Sequence, residues 1–98
     1  MALTNTQKKF LRQAAHHIKP VVWAGQQGIT DALIGEINEA LYRHELIKIK
    51  LRLGEREERN AGIDEIVNKT EAEAVQRVGN ILTLYKRNNE KPVIKLPG

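Results

Sequence analysis

Residues 46–52 read LIKIKLR, in which Ile47, Ile49 and Leu51 alternate strictly with Lys48, Lys50 and Arg52. A period of two over that length marks a strand with one buried face and one wet face. Other elements must therefore cover the isoleucine side. The lysine side is wholly cationic unless a neighbour covers it as well. The chain has 98 residues, material for about one domain and one modest core, so residues 1–98 are read as a single domain.

The elements that could provide the cover are legible from periodicity and capping. Thr4 with Gln7 three residues later matches a capping box and opens a helix. Phe10, Leu11, Ala14 and Ile18 are its expected inner face, opposite a stripe of Lys8, Arg12, His16 and Lys19. A solvated outer face is the alternative for that stripe. Pro20 ends the helix, and VVWA then reads as a short buried strand. Thr30 caps a second helix over 31–43 with Leu33, Ile34, Ile37, Ala40 and Leu41 inward. EREERNAGIDEIVNKT predicts an acidic third helix whose start Gly62 obscures. Residues 74–78 and 81–86 predict two strands around a Gly79-Asn80 turn. The tail NNEKPVIKLPG predicts a short edge strand over Val93–Leu96 and is otherwise loosely held.

The order α-β-α-β-α-β-β predicts a compact α/β domain with a four-stranded mixed sheet. A strand-helix-strand crossover makes a parallel pair and the last two strands close as a hairpin. With so short a chain, the three helices are expected on one sheet face.

Charge narrows the partner. Residues 1–52 carry eight Lys/Arg against four Asp/Glu, residues 53–73 three against seven, and residues 74–98 five against one. Acid gathered in one segment leaves a basic excess everywhere else, the footprint expected for a polyanion partner. Apolar residues at 41% and charged residues at 29% fit a chain that folds. The absence of cysteine removes thiolate chemistry and cysteine metal sites, and suits a reducing compartment. No continuous apolar core of a secretory signal and no membrane-length apolar run occurs, so a cytoplasmic protein is expected.

Catalytic patterns are thin. No phosphate loop or dinucleotide fingerprint occurs, and serine is absent. His16 and His17 are adjacent and diverge on a helix, which disfavours a metal pair. His44-Glu45 could be imagined as an acid/base pair, but neighbours at a helix end do not converge on one substrate. No enzyme activity, cofactor, metal or small-molecule substrate is expected. A small hydrolase using His16 or His44 is the weakest alternative.

Between the first strand and the second helix lies AGQQGIT, a glycine pair at 25 and 28 around Gln26 and Gln27. A strand-to-helix turn can use glycines for its own sake. Glycines also strip away side-chain bulk, letting a nucleic-acid backbone approach and meet N–H groups at the following helix start. Trp23 could stack on a base, yet its place in an apolar run assigns it, like Tyr85, to the core.

Three blocks in order, FLRQAAHHIKPVVWAGQQGIT, ALYRHELIKIK and VGNILTLYKR, followed by KLP, resemble the CRM family (chloroplast RNA splicing and ribosome maturation), specifically its single-domain bacterial YhbY-like members. The resemblance spans most of the chain. It implies a four-stranded mixed sheet on helices, similar to the C-terminal domain of bacterial translation initiation factor three. It also implies an RNA-binding protein that associates with precursors of the large ribosomal subunit. The implied RNA contacts are the loop residues Gly25, Gln26, Gln27 and Gly28, and the basic residues Lys48, Lys50, Lys86 and Arg87. Both inner loop positions are glutamine here, which leaves the loop's backbone role and takes charge out of it. Lys8, Arg12, His16 and Lys19 join these as candidates from the charge pattern. The expected partner is ribosomal RNA, bound by a monomer. A protein-binding adaptor, docking on ribosomal proteins or assembly factors through the acidic third helix, is the alternative.

Overall fold

The alternating segment sits where its pattern requires, inside a sheet covered on its isoleucine side. The computed structural model describes residues 3–25 and 27–98. Along the chain come α1 (Asn5–Ala14), a 3-10 turn (Ala15–His17), β1 (Pro20–Ala24), α2 (Asp31–His44), β2 (Leu46–Leu51), α3 (Arg56–Thr70), β3 (Glu73–Val78) and β4 (Ile81–Tyr85). The spatial order is β1-β2-β4-β3, with β1 and β2 parallel and the other neighbours antiparallel. This is the α/β domain of three helices and a four-stranded mixed sheet that the element order predicts. α2 is the crossover of the parallel pair. Gly79, at φ 57, takes the first of two turn positions between β3 and β4, where glycine best fits the strand twist.

Two separate cores hold the sheet. On one face Ile47, Ile49 and Leu51 of β2, Leu82 and Leu84 of β4, and Val22 and Ala24 of β1 pack under Leu33, Ile37 and Leu41 of α2 and Ile66 of α3. On the other face Leu46, Val75 and Tyr85 meet Leu11 of α1 and Ala15 of the 3-10 turn. Leu46 and Tyr85 are direct cross-strand partners, so they share that second face. The expectation that all helices cover one face is therefore corrected. β2 carries a leucine at the start of its otherwise polar side, and α1 closes over that end alone.

α1 is also rolled relative to its expected inner face. Leu11 and Ala15 are buried, whereas Phe10 is 37% exposed and Ala14 lies open. The α-helix stops at Ala14, so His16 falls in the 3-10 turn and Lys19 beyond it. The four residues are thus not one helix stripe. Lys8 and Arg12 are half-buried, flanking the Leu11–Ala15 contact line, while His16 and Lys19 are exposed. The start of α1 is as predicted: Thr4 Oγ1 accepts from the Gln7 N–H at 3.1 Å, and Gln7 Oε1 accepts from the Thr4 N–H at 3.0 Å. Thr4→Ala should lower stability by about 1 kcal/mol, read as a fall in denaturant midpoint without a change in slope.

α3 runs unbroken from Arg56. Gly62 is buried inside it because a Cβ there would strike the Leu53 side chain. The glycine marks a close approach, not an interruption of the helix.

The tail departs most from expectation. No strand forms over Val93–Leu96. Ile94 and Leu96 instead pack on the second core, and one buried side chain holds the segment. Glu45, wholly buried, accepts from the Asn88 N–H through Oε2 and from the Val93 and Ile94 N–H groups through Oε1, all at 2.6 Å. Burial by itself raises the Glu45 pKa. The three N–H donors and the nearby Arg87 charge outweigh it and hold the carboxyl below its ordinary value. Glu45 is a structural anchor, and its neighbour His44 is exposed.

Candidate nucleic-acid interface

β2 turns Lys48 and Lys50 to the second face, the one α1 closes only at the Leu46–Tyr85 end. Pairing brings a row of side chains across all four strands there: Trp23 beside Lys50, Lys50 beside Ile81, and Ile81 beside Val78. Lys48, Thr83 and Gln76 form the next row toward α1, with Thr83 buried and Lys48 and Gln76 half-buried. Trp23 is 56% exposed and Val78 62% exposed. The assignment of Trp23 to the core is thus corrected, while Tyr85 is buried as expected. The physical reason is parity: Val22 and Ala24 take the α2 side of β1, which leaves Val21 and Trp23 on the other, uncovered side.

Lys48 and Lys50 are half-buried on this face. No carboxylate shares the two rows. Among the described residues the ion pairs are Arg43 with Glu39 and Lys69 with Glu65, both within helices of the opposite layer. The cationic heads are therefore not neutralised by the protein.

α1 borders this open area. Its Gln7 flank faces the tail, since Gln7 Nε2 donates to the Pro97 carbonyl at 3.2 Å and Ala14 shares a surface hollow with Val93 and Ile94. With about 100° per residue, Lys8 and Arg12 lie on the other flank of the buried line, the side away from the tail.

The glycine loop lies at the far end of β1, past Trp23. The Gly28 N–H donates to the Gly25 carbonyl at 3.0 Å, and Gly28 has φ +73, a region that favours glycine. Gly25 is different. Its φ is ordinary and a Cβ there would meet nothing, so the fold itself does not demand glycine. Thr30 caps α2 by accepting from the Leu33 N–H at 3.1 Å. An open cleft of about 700 Å³ separates loop and helix start, lined in part by Trp23, Gln27, Glu36 and Arg52. With Asp31 in the first turn of α2 and Glu36 in the cleft wall, the helix start is not strongly positive. What the loop offers is bare backbone; Arg52 and the sheet lysines offer charge. Gln26 lies outside the described residues.

The remaining candidates stand elsewhere. Lys86 and Arg87 follow β4 at the Leu46–Tyr85 end of the sheet, the end opposite the loop. Lys86 Nζ donates to the Thr70 carbonyl at 2.8 Å, closing the C-terminus of α3. Arg87 is exposed beside the tail. The structure thus groups Trp23, Gly25, Gln27, Gly28, Lys48 and Lys50, with Lys8 and Arg12 at the border. It sets Lys86 and Arg87 apart. Arg52, exposed in the cleft, joins this group and is not among the residues singled out from the sequence, although it continues the Lys48–Lys50 alternation.

A mixed sheet with an aromatic and lysines on a bare face, next to a glycine loop, is the form of a small nucleic-acid-binding domain. Residues 3–86 match the CRS1/YhbY (CRM) domain, and the chain belongs to that family. It is 45% identical over 95 residues to an RNA-binding protein of Haemophilus influenzae, covering 97% of this chain and 95% of the relative. A protein of Bacillus subtilis named a probable RNA-binding protein is 39% identical, over 97% of this chain and 99% of its own length. The solution structure of a Staphylococcus aureus protein, named there as a candidate RNA-binding protein, superposes with a TM-score of 0.82 at 31% identity. The superposition covers 98% of this chain and 100% of that one.

Proposed function

We propose that this protein binds RNA, specifically ribosomal RNA in precursors of the large ribosomal subunit, and takes part in that subunit's assembly without catalysing a reaction. The observation that carries the proposal is the carboxylate-free cationic half of one sheet face, opening beside the glycine loop. Membership in a family whose relatives are named as RNA-binding supports it. Lys48, Lys50, Lys8, Arg12 and Arg52 attract and position phosphates, and Gly25, Gln27 and Gly28 let the RNA backbone come close. Lys19, exposed just before β1, extends the positive edge, and His16 is exposed in the preceding 3-10 turn. Cytoplasmic location follows from this role; no helix among the described residues is long and apolar enough to cross a membrane.

Gly25 offers a test that the fold does not confound. Gly25→Ala should keep or slightly raise stability, because the backbone there suits alanine and the unfolded chain loses freedom. The same variant should bind large-subunit ribosomal RNA several-fold more weakly in a filter assay, since a methyl now stands where the RNA backbone approaches. Unchanged binding would reduce the loop to a turn. For the ribosomal assignment, crosslinking in cells followed by sequencing of the attached RNA should recover large-subunit precursor; enrichment of unrelated transcripts would overturn it.

A further inference from the structure

We infer that the open half of the second sheet face is a stacking platform for unpaired RNA bases, with Trp23 as its principal contact. The inference rests on the RNA-binding proposal and adds the class of RNA taken: single-stranded segments, bases against the sheet and phosphates against its lysines.

Three observations lead there. Trp23 is the one tryptophan of the chain, and it stands 56% exposed on an edge strand with no core role. An indole so open to water is a poor use of apolar area unless something covers it. Second, Trp23 lies at the junction of two features, lining the glycine-loop cleft with Arg52 while starting the row that runs through Lys50 and Ile81 to Val78. At about 4.8 Å between strands, that row is roughly 14 Å long, room for two or three stacked or partly stacked bases. Third, the charge selects the occupant. Lys48 and Lys50 lie in the middle of the apolar row and its neighbour with no carboxylate beside them, which fits a ligand presenting flat apolar rings and anionic linkers together. A second copy of the chain laid face to face would oppose lysines to lysines across the same patch, a repulsive arrangement. A paired duplex hides its base faces and would leave Trp23 uncovered.

The test uses Trp23 as its own reporter. The full chain is titrated with an unpaired pyrimidine or adenine oligonucleotide of about eight residues and with a blunt RNA duplex of similar charge, following both Trp fluorescence and anisotropy of end-labelled RNA. Saturable quenching by the single strand, with binding but little quenching by the duplex, is the expected result. Trp23→Ala should weaken single-strand binding about tenfold and Trp23→Phe should restore most of it, while the duplex affinity changes little. Trp23 is outside both cores, so both variants should melt close to the parent. Single-strand binding with unchanged fluorescence and an unaffected Trp23→Ala variant would overturn the platform and leave RNA binding standing. Failure of both RNAs to bind would overturn RNA binding itself. Sedimentation of the parent as a dimer that Trp23→Ala converts to monomer would overturn the platform in favour of a contact between copies.

Discussion

Glu45→Ala should cost about 3–4 kcal/mol of folding stability, because three backbone N–H groups lose an ionised acceptor at once. Each is held at 2.6 Å, and the carboxylate that accepts them is shielded from water. Glu45 also has φ 61 at the residue that ends α2, a conformation that disfavours a side chain by about 1 kcal/mol or more. That the position holds glutamate despite this shows how much the tail depends on it. Glu45→Gln should recover part of the loss: its amide oxygen can still accept from Val93 and Ile94, but its NH₂ then faces the Asn88 N–H, donor against donor. Amide exchange at Val93 and Ile94 should accelerate in both variants before the sheet core opens.

The pH dependence has a definite sign. The native Glu45 carboxyl titrates below the ordinary value, so the native state holds its proton less tightly than the unfolded chain. Its contribution is complete above the unfolded glutamate pKa and fades as pH falls through the lowered native one. Acid melts of the parent should therefore steepen below about pH 4.3, and Glu45→Gln should flatten that part of the curve. A parent and variant with parallel acid limbs would show that Glu45 is not the titrating anchor.

The sequence makes legible whatever is local and periodic. Thr4 with Gln7 and Thr30 with Leu33 cap their helices as expected, and the alternation from Ile47 to Leu51 sorts its side chains between the two sheet faces. Three things depend on distant partners and escape it. The apolar residues of α1 span a wide arc, and only the position of Leu46, Val75 and Tyr85 decides that Leu11 and Ala15 face inward. VVWA is apolar throughout, so nothing within it tells that α2 covers only the Val22 and Ala24 side. Glu45 looks like a surface residue at a helix end because its partners lie 43 to 49 residues further on. The candidate site suffers from the same limit. Its residue types were readable, but their grouping was not: Lys86 shares the parity of Leu82 and Leu84 and bonds the end of α3 on the helix-covered side, while Lys48 and Lys50 face the other way, and only the pairing of distant strands decides this.

That grouping is open to direct measurement. Lys48→Gln with Lys50→Gln should lower RNA affinity about twentyfold to sixtyfold near 0.1 M salt, and should reduce the slope of log affinity against log salt by about 1.4 to 1.8. Each lysine that neutralises a phosphate releases about 0.7 to 0.9 of a counterion, and the affinity loss is that slope carried over one decade of salt. Glutamine retains a polar head and a strand-compatible stem, so the sheet should survive the change. The paired control is Lys86→Gln with Arg87→Gln, which removes the same formal charge from the same chain. Long-range attraction alone would make the two double variants alike. A located interface makes them differ, because Lys86 is already bonded to the Thr70 carbonyl and Arg87 lies beyond α1 at the other end of the sheet. The control should lose no more than a few-fold in affinity and less than half the change in slope. Equal losses would place RNA around both ends of the sheet, and the platform on the second face would then be only part of the contact.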